Sequence, residues 1–147
     1  MKNFQLKNNS LIDTNFIYLS QGARLPNAID SNPLPTTYYR FWSNGRVQQV
    51  WPGNQEIGTL VNNTEIGSAG YYRIRKGRLE MQITETLNGG QKGLRYGLFE
   101  QGNIWFYYQR PETYFGSWLM MRWLESKYKT QWVKTKVEGL KYVNPNW

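Results

Sequence analysis

TYYRFWSNGRVQQVW, residues 37–51, carries the strongest structural signal in this sequence. Asn44 and Gly45 stand between two runs of aromatic and β-branched residues, and Asn-Gly in that setting is typical of a β-hairpin turn. A three-residue loop with Gly45 in the left-handed conformation of a bulge pairs Phe41 with Val47. This register divides the hairpin into a face with Tyr39, Phe41, Val47, Gln49 and Trp51 and a face with Arg40, Trp42, Arg46 and Gln48.

A second hairpin is predicted in GYYRIRKGRLEMQI, residues 70–83, where Lys76 and Gly77 make a two-residue turn. This turn pairs Ile74 with Leu79. Apolar and polar residues alternate along both strands, which indicates a sheet with one buried and one solvated face. The buried face holds Tyr72, Ile74, Leu79, Met81 and Ile83, and the solvated face holds Tyr71, Arg73, Arg75, Arg78, Glu80 and Gln82.

A third hairpin is predicted in LRYGLFEQGNIWFYYQ, residues 94–109. A bulged loop at residues 100–102 pairs Leu98 with Ile104. The strands again alternate, so this register also gives one apolar face. That face holds Leu94, Tyr96, Leu98, Ile104, Phe106 and Tyr108, and the other face holds Arg95, Phe99, Trp105 and Tyr107.

The rest of the chain adds strands and one short helix to the three hairpins. The predicted elements are a polar, flexible tail (1–13), a first strand (16–19), a short edge strand (56–61), a short helix (116–127) and one or two final strands (129–143). Hairpins that are each apolar on one face must cover those faces, and closure into a barrel also removes exposed sheet edges. We therefore predict a single all-β domain, an antiparallel up-and-down barrel of about eight strands.

Composition excludes several kinds of chemistry. The sequence contains no His and no Cys, so the usual general base, thiol nucleophiles and ordinary structural zinc ligands are all missing. We expect a protein that is not an enzyme and that holds no metal or cofactor. A net charge of +8 favours anionic partners.

Targeting signals are also missing from the sequence. No apolar run is long enough to span a membrane, and the first ten residues lack the apolar core of a signal peptide. The sequence leaves the compartment open: exported or periplasmic if a signal peptide has been removed, and cytoplasmic otherwise.

The order and pattern of the hairpins resemble a known group of proteins. YYRFWSNGRVQQVW, then GSAGYYRIRKGRLEMQI, then a tight aromatic hairpin and a basic final strand look like small lipocalin-like proteins of the calycin group, many of them bacterial. The resemblance covers roughly residues 14–143. The resemblance concerns the barrel fold. The Gly-x-Trp motif that precedes the first strand in lipocalins proper is absent here. The resemblance implies an antiparallel barrel with one open mouth that holds a small, mostly apolar molecule.

The inward residues suggest what such a barrel would bind. A core made only for packing would use Leu, Ile and Phe, whereas buried tyrosine hydroxyls need hydrogen-bond partners. The predicted ligand-binding residues are Tyr39, Phe41, Gln49, Tyr72, Met81, Tyr96, Phe106 and Tyr108. They would form a semi-polar cavity for a small hydrophobic or amphipathic ligand. Alternatively, the tyrosines reach the ends of the barrel and bond to water or backbone.

The outward residues give a second hypothesis. Basic and aromatic side chains alternate there, which is how single-stranded nucleic acid is often held and what protein interfaces favour at their centres. The residues concerned are Arg40, Trp42, Arg46, Arg73, Arg75, Arg95, Trp105 and Tyr107. A protein partner or homodimer fits this face better than nucleic acid, because no nucleic-acid motif is present and the basic residues are dispersed. A merely solvated face, with arginine stems over rings, would give the same pattern.

Overall fold

The computed structural model describes residues 11–20, 36–85, 89–111 and 129–147, without the side chains of residues 107–111 and 129. The elements are β1 (Ile17–Ser20), β2 (Tyr38–Phe41), β3 (Arg46–Val50), α1 (Ile57–Leu60), β4 (Ser68–Arg75), β5 (Arg78–Glu85), β6 (Gln91–Glu100), β7 (Asn103–Pro111) and β8 (Lys129–Thr135). All eight strands run antiparallel in sequence order, and β8 pairs back onto β1 to close a barrel. The predicted fold class, an all-β antiparallel up-and-down barrel, is confirmed.

Two other sequence predictions concern the helices. The short helix α1 lies where a short edge strand was predicted over residues 56–61, so that prediction is wrong. A proline and a glycine, Pro52 and Gly53, end β3, and the chain then turns away from the sheet instead of extending it. The helix predicted over 116–127 lies outside the described residues.

The first hairpin has the predicted bulged register. Phe41 pairs with Val47 and Tyr39 with Gln49. Gly45 has a φ of 82°, a left-handed conformation that glycine adopts without steric cost. The prediction is therefore confirmed, and the residues on the two faces of β2 and β3 are those expected from the sequence, except that Trp51 lies beyond β3 and is 40% exposed.

The second hairpin also has the predicted register. Ile74 pairs with Leu79 and Tyr72 with Met81. Lys76 and Gly77 both have positive φ. Positive φ at both central residues is typical of a type I′ turn, the two-residue turn whose geometry matches the twist of the flanking strands. The side chains of Tyr72, Leu79, Met81 and Ile83 are buried, as predicted.

The third hairpin differs from the prediction by one residue. Its turn has two residues, Gln101 and Gly102, both with positive φ, so Phe99 pairs with Ile104. Because side chains alternate between faces, this slip reverses β6 completely. Arg95, Gly97 and Phe99 share the face of the interior residues Leu79 and Met81, whereas Leu94, Tyr96 and Leu98 face outward.

One end of the barrel, called here the hairpin end, carries the turns at 42–45, 76–77 and 101–102. Ile12 is 5% exposed and packs into the core at this end. The backbone N–H of Asp13 donates to the Tyr18 hydroxyl at 3.1 Å, and Lys134 Nζ donates to the Asp13 carboxylate at 2.8 Å. Ile12 and Asp13 thus belong to the packed structure, although they fall within the predicted flexible tail. Residues 1–10 lie outside the described residues.

A second, smaller core lies on the outside of the barrel. Its buried members are Ile17, Tyr38, Val50 and Val61, with Leu19, Ile57, Ile66, Val137 and Leu140 packed around them. The outer face of β1, β2 and β3 is therefore covered by α1, by the loops around it, and by residues 136–147, called here the C-terminal segment. This covering decides which outward residues remain accessible.

Gly70, in β4, allows the close packing of β4 against β5 to be tested by a single substitution. A Cβ at Gly70 would overlap the backbone carbonyl oxygen of Gln82, which cannot move without breaking the β4–β5 pairing. We expect Gly70→Ala to lower the free energy of unfolding by about 3 kcal/mol or more. The measurement is urea unfolding followed by circular dichroism.

Gly58 provides the matched control for this substitution. It lies in α1, and a Cβ there would meet only the flexible Glu56 side chain at 4.0 Å. Gly58→Ala should be neutral or stabilising by up to about 1 kcal/mol. Equal effects at the two positions would contradict the described packing of β4 on β5.

Candidate functional site

Most of the predicted ligand-binding residues lie inside the barrel. The side chains in the interior and buried are Tyr39, Phe41, Gln49, Tyr72, Met81 and Phe106. Tyr96 is a correction, because it pairs with the outward Glu80 and lies on the outer face. The side chain of Tyr108 lies outside the described residues.

At the hairpin end, the interior is filled by its own aromatic side chains. Phe41 packs edge-on against Tyr18 and Tyr72, with ring centroids 5.4 Å and 4.9 Å apart. The Tyr72 hydroxyl donates to the carbonyl of Trp42 at 2.6 Å, and burial raises the pKa of Tyr72. The sequence analysis left open that the tyrosines reach the ends of the barrel and bond to backbone there. Tyr18 and Tyr72 do so, since both hydroxyls form hydrogen bonds with backbone groups at the hairpin end.

Farther from the hairpin end, three aromatic rings meet in the interior. The ring centroid of Tyr39 lies 4.2 Å from that of Trp132 and 5.2 Å from that of Phe106. Phe106 and Trp132 also pack edge-to-face at 5.7 Å. These three residues, called here the aromatic trio, pack against one another in the interior and are 1%, 5% and 8% exposed, respectively, for Tyr39, Phe106 and Trp132.

The other end of the interior, called here the polar end, contains a buried cation. Arg95 Nη1 donates to Gln49 Oε1 at 2.8 Å, and Nη2 donates to Glu85 Oε1 at 3.1 Å. The guanidinium carbon lies 5.6 Å from the ring centroid of Tyr39, so the cation also adjoins the aromatic trio. The Arg95 side chain is only 14% exposed.

Burial has an electrostatic consequence for this cation. Desolvation lowers the pKa of Arg95 to about 10. Arg95 nevertheless stays protonated at neutral pH and forms the cationic half of the ion pair with Glu85.

Ser68 adds a second unusual group to the polar end. It pairs with Gln49 across β3 and β4 and therefore faces the interior, where it is 1% exposed. Its Oγ has no hydrogen-bond partner among the described residues. Ser20, also at this end, shows the ordinary arrangement, since its Oγ donates to the Thr37 carbonyl at 3.0 Å. A buried polar atom without a partner carries a desolvation cost that a bound polar group could remove.

The outward residues of the first hairpin are covered by the C-terminal segment. Trp42 Nε1 donates to the Val143 carbonyl at 2.7 Å, and its ring packs edge-on against Trp147. Arg40 donates to the Lys141 carbonyl and Arg46 to the Pro145 carbonyl. These donors thus bind every second carbonyl of an extended segment.

The predicted exposure of these residues is wrong. Arg40 and Trp42 are 2% and 1% exposed, and Arg46 is half-buried. Three further buried polar atoms without a described partner lie beneath this covering: Tyr38 Oη, Arg40 Nε and Gln48 Oε1. This face is therefore part of the folded structure.

The other residues of the predicted outer surface have varied surroundings. Arg73 forms a cross-strand ion pair with Glu80 at 2.5 Å, which is typical of a solvent-exposed sheet face. Arg75 is exposed. Trp105 is half-buried on the outer face, and the side chain of Tyr107 lies outside the described residues. Arg95, predicted to lie on the surface, instead points into the barrel.

The described residues contain neither a metal-binding cluster nor a membrane-spanning helix. No group of three or more carboxylates there is placed to hold a metal ion. In the same part of the chain, no helix has the length and apolar character needed to cross a membrane.

No family model, curated protein or solved structure matches the chain. The functional argument therefore depends on the geometry of the barrel interior.

Proposed function

We propose that this protein is a lipocalin-like, non-catalytic binding protein that holds a small hydrophobic or amphipathic molecule at the polar end of the barrel. The observation that carries the proposal is the contrast between the two ends of the interior. The hairpin end is packed with side chains whose hydroxyls are engaged. Farther along the interior, the aromatic trio adjoins the polar groups of Gln49, Ser68 and Arg95 at the polar end.

Binding sites for small molecules have this composition. They are mostly apolar and aromatic, with a few polar groups that orient the ligand. An interior evolved only for stability would not place a charged arginine or an unpartnered hydroxyl there, because both lose hydration without full compensation. A ligand with one polar end would hydrogen-bond to these groups while its apolar part covered the aromatic trio.

The rival proposal is a protein or nucleic-acid partner on the outer face. It loses four of its eight residues, because Arg40, Trp42 and Arg46 are engaged by the C-terminal segment and Arg95 is inside the barrel. Arg73 is also paired with Glu80. We therefore rank this proposal second.

An uncharged apolar fluorophore tests the first proposal. N-phenyl-1-naphthylamine should bind saturably, with a rise in its fluorescence as it enters the barrel. Phe106→Trp enlarges one ring of the aromatic trio and should weaken probe binding about tenfold or more, because interiors tolerate added volume poorly. Circular dichroism should show that this variant remains folded.

Tyr71→Trp is the matched control, since Tyr71 is 43% exposed on the outer face. It should leave probe affinity unchanged. The proposal fails if the wild-type protein binds no probe, or if a folded Phe106→Trp variant binds it as well as wild type does.

A further inference from the structure

The tip of the second hairpin carries three cations that take no part in holding the barrel together. Arg75, Lys76 and Arg78, called here the tip cations, are all exposed. Among the described residues, none of the three forms a side-chain ion pair. Glu80, the acidic residue on the outer face of this hairpin, is already paired with Arg73. The charge of the tip is therefore not neutralised within the described part of the chain.

The arrangement of the tip cations is locally unfavourable. Arg75 pairs directly with Arg78 across β4 and β5, so both side chains lie on the same face. Like charges at directly opposite positions destabilise an antiparallel strand pair. Lys76 has a φ of 50°, a left-handed conformation that is uncommon for residues other than glycine and asparagine. Local costs of this kind, with no compensating contact, are expected at functional sites.

An exposed aromatic ring lies on the same outer face of β4. Tyr71 is 43% exposed and precedes Arg75 by four residues, which is about 13 Å along an extended strand. The side chain of Arg73, between them on this face, is 42% exposed. The ring and the cations thus form one accessible strip along the barrel wall, called here the basic strip, which consists of Tyr71, Arg73, Arg75, Lys76 and Arg78.

The chemistry of the basic strip limits its partner. Cations that contact phosphates and exposed rings that stack on bases together hold single-stranded nucleic acid without sequence preference. A polymer of carboxylates would use the cations but has no base to stack on Tyr71. A flat membrane surface that met the tip would not also reach Tyr71, because the ring lies farther back along the barrel wall. An extended strand with both phosphates and bases matches the whole strip.

We propose that the basic strip binds single-stranded nucleic acid. The three tip cations contact phosphates, and one base stacks on Tyr71. The net charge of +8 raises the rate of encounter with such a polyanion. This site uses none of the outward residues that the C-terminal segment covers, and it does not depend on ligand binding inside the barrel.

The salt dependence of binding tests the role of the cations. A fluorescein-labelled thymidylate oligomer of about ten nucleotides should bind the intact protein with a rise in fluorescence anisotropy. Three phosphate contacts predict a slope of about −2 for log K against log salt, since each contact on a single strand contributes about −0.7. The double substitution Arg75→Gln and Arg78→Gln should reduce the slope to about −0.7.

Lys136→Gln is the matched control for the charge substitutions. Lys136 is exposed and follows β8, four strands away from β4 around the closed barrel. This variant should have the slope of the wild-type protein. Circular dichroism should show that all charge variants remain folded, since each changes an exposed side chain.

Substitution of the ring tests stacking separately from charge. Tyr71→Ala should weaken oligonucleotide binding about tenfold while the slope stays near −2. Tyr71→Trp should keep the affinity, because the larger ring still stacks on a base. Trp51→Ala removes an exposed ring from the polar end of β3 and should bind as wild type does.

Competition with polyglutamate distinguishes nucleic acid from an acidic polypeptide. Polyglutamate of matched length should displace the labelled oligonucleotide at least about tenfold less well than unlabelled thymidylate does. The proposal is contradicted if the wild-type protein does not bind the oligonucleotide at low salt, or if the double substitution leaves the slope unchanged. Full affinity in Tyr71→Ala, or equal competition by polyglutamate, also contradicts it. None of these results depends on fluorophore binding in the interior, so the two proposals can fail separately.

Discussion

Ending the chain after Glu138 is expected to lower the free energy of unfolding by on the order of 5 kcal/mol. The truncation removes the carbonyl acceptors of Arg40, Trp42 and Arg46. These donors would then bond to water, and the net contribution of each lost hydrogen bond is about 1 to 3 kcal/mol, with the charged arginines at the upper end. Removal of Leu140 also opens the outer core, which adds to the loss.

Urea unfolding and tryptophan emission measure the two consequences of this truncation. Emission should shift to longer wavelength, because Trp42 is 1% exposed in the full chain and would become solvated. Tyr142→Ala is the control within the segment, since Tyr142 is 62% exposed and its loss should change stability by less than about 0.5 kcal/mol. A truncated protein with unchanged stability and emission would contradict the packing of the C-terminal segment.

Phe41→Ala is expected to destabilise the barrel by about 3 to 5 kcal/mol, the usual cost of removing a buried phenylalanine. Phe41 is 1% exposed and lies between the rings of Tyr18 and Tyr72. The cavity would be enclosed by aromatic rings that are already fixed by hydrogen bonds to backbone, so collapse around it is restricted.

Tyr71→Ala serves as the control for Phe41→Ala. It removes an aromatic ring of similar size from the outer face of β4, and we expect an effect several times smaller. Comparable losses at the two positions would mean that the interior of the hairpin end is not packed as described. Urea unfolding midpoints of the two variants make this comparison.

The first two hairpins could be predicted because turn chemistry and hydrophobic pattern agree there. Asn44-Gly45 and Lys76-Gly77 each supply residues for positive φ at the turn, and the flanking strands alternate cleanly. Because both signals indicated the same register, the inward residues of β2, β3, β4 and β5 could be predicted from the sequence.

The third hairpin shows why agreement of both signals matters. Leu94, Tyr96 and Leu98 make the more apolar alternate set in β6, so the hydrophobic pattern favoured placing them inside. In the structure, the opposite set faces the interior, including Gly97, where a Cβ would lie 3.0 Å from Ile104 Cγ2. A bare glycine there leaves room for Ile104 and Phe106, a packing requirement that arises on another strand and is not visible in β6 alone.

This one-residue difference changed the candidate site. It moved Tyr96 out of the interior and brought Arg95 in, so the hypothesis of a semi-polar cavity now depends on a charged group. The turn was the feature of the sequence that could have indicated the observed register. Gln101 and Gly102 both have positive φ, which is the backbone geometry of a two-residue turn.

The covering of the outer face had no comparable signal. LKYVNPNW, residues 140–147, overlaps the final strands predicted up to residue 143, but the strand β8 ends at Thr135 and residues 136–147 form no strand. Its carbonyls accept hydrogen bonds from Arg40, Trp42 and Arg46, and backbone acceptors do not depend on which side chains the segment carries. Such a contact cannot be read from residue types, which explains why these three residues were predicted to be exposed.

Two tryptophan indoles report on the two sides of the barrel wall. Trp132 lies in the interior beside Tyr39, and Trp42 lies on the outer face beneath the C-terminal segment. Their N–H resonances can be assigned in ¹H–¹⁵N spectra with Trp132→Phe and Trp42→Phe. Titration with N-phenyl-1-naphthylamine should shift the Trp132 resonance and leave that of Trp42 in place, whereas a shift of Trp42 alone, or of neither, would contradict a ligand site inside the barrel.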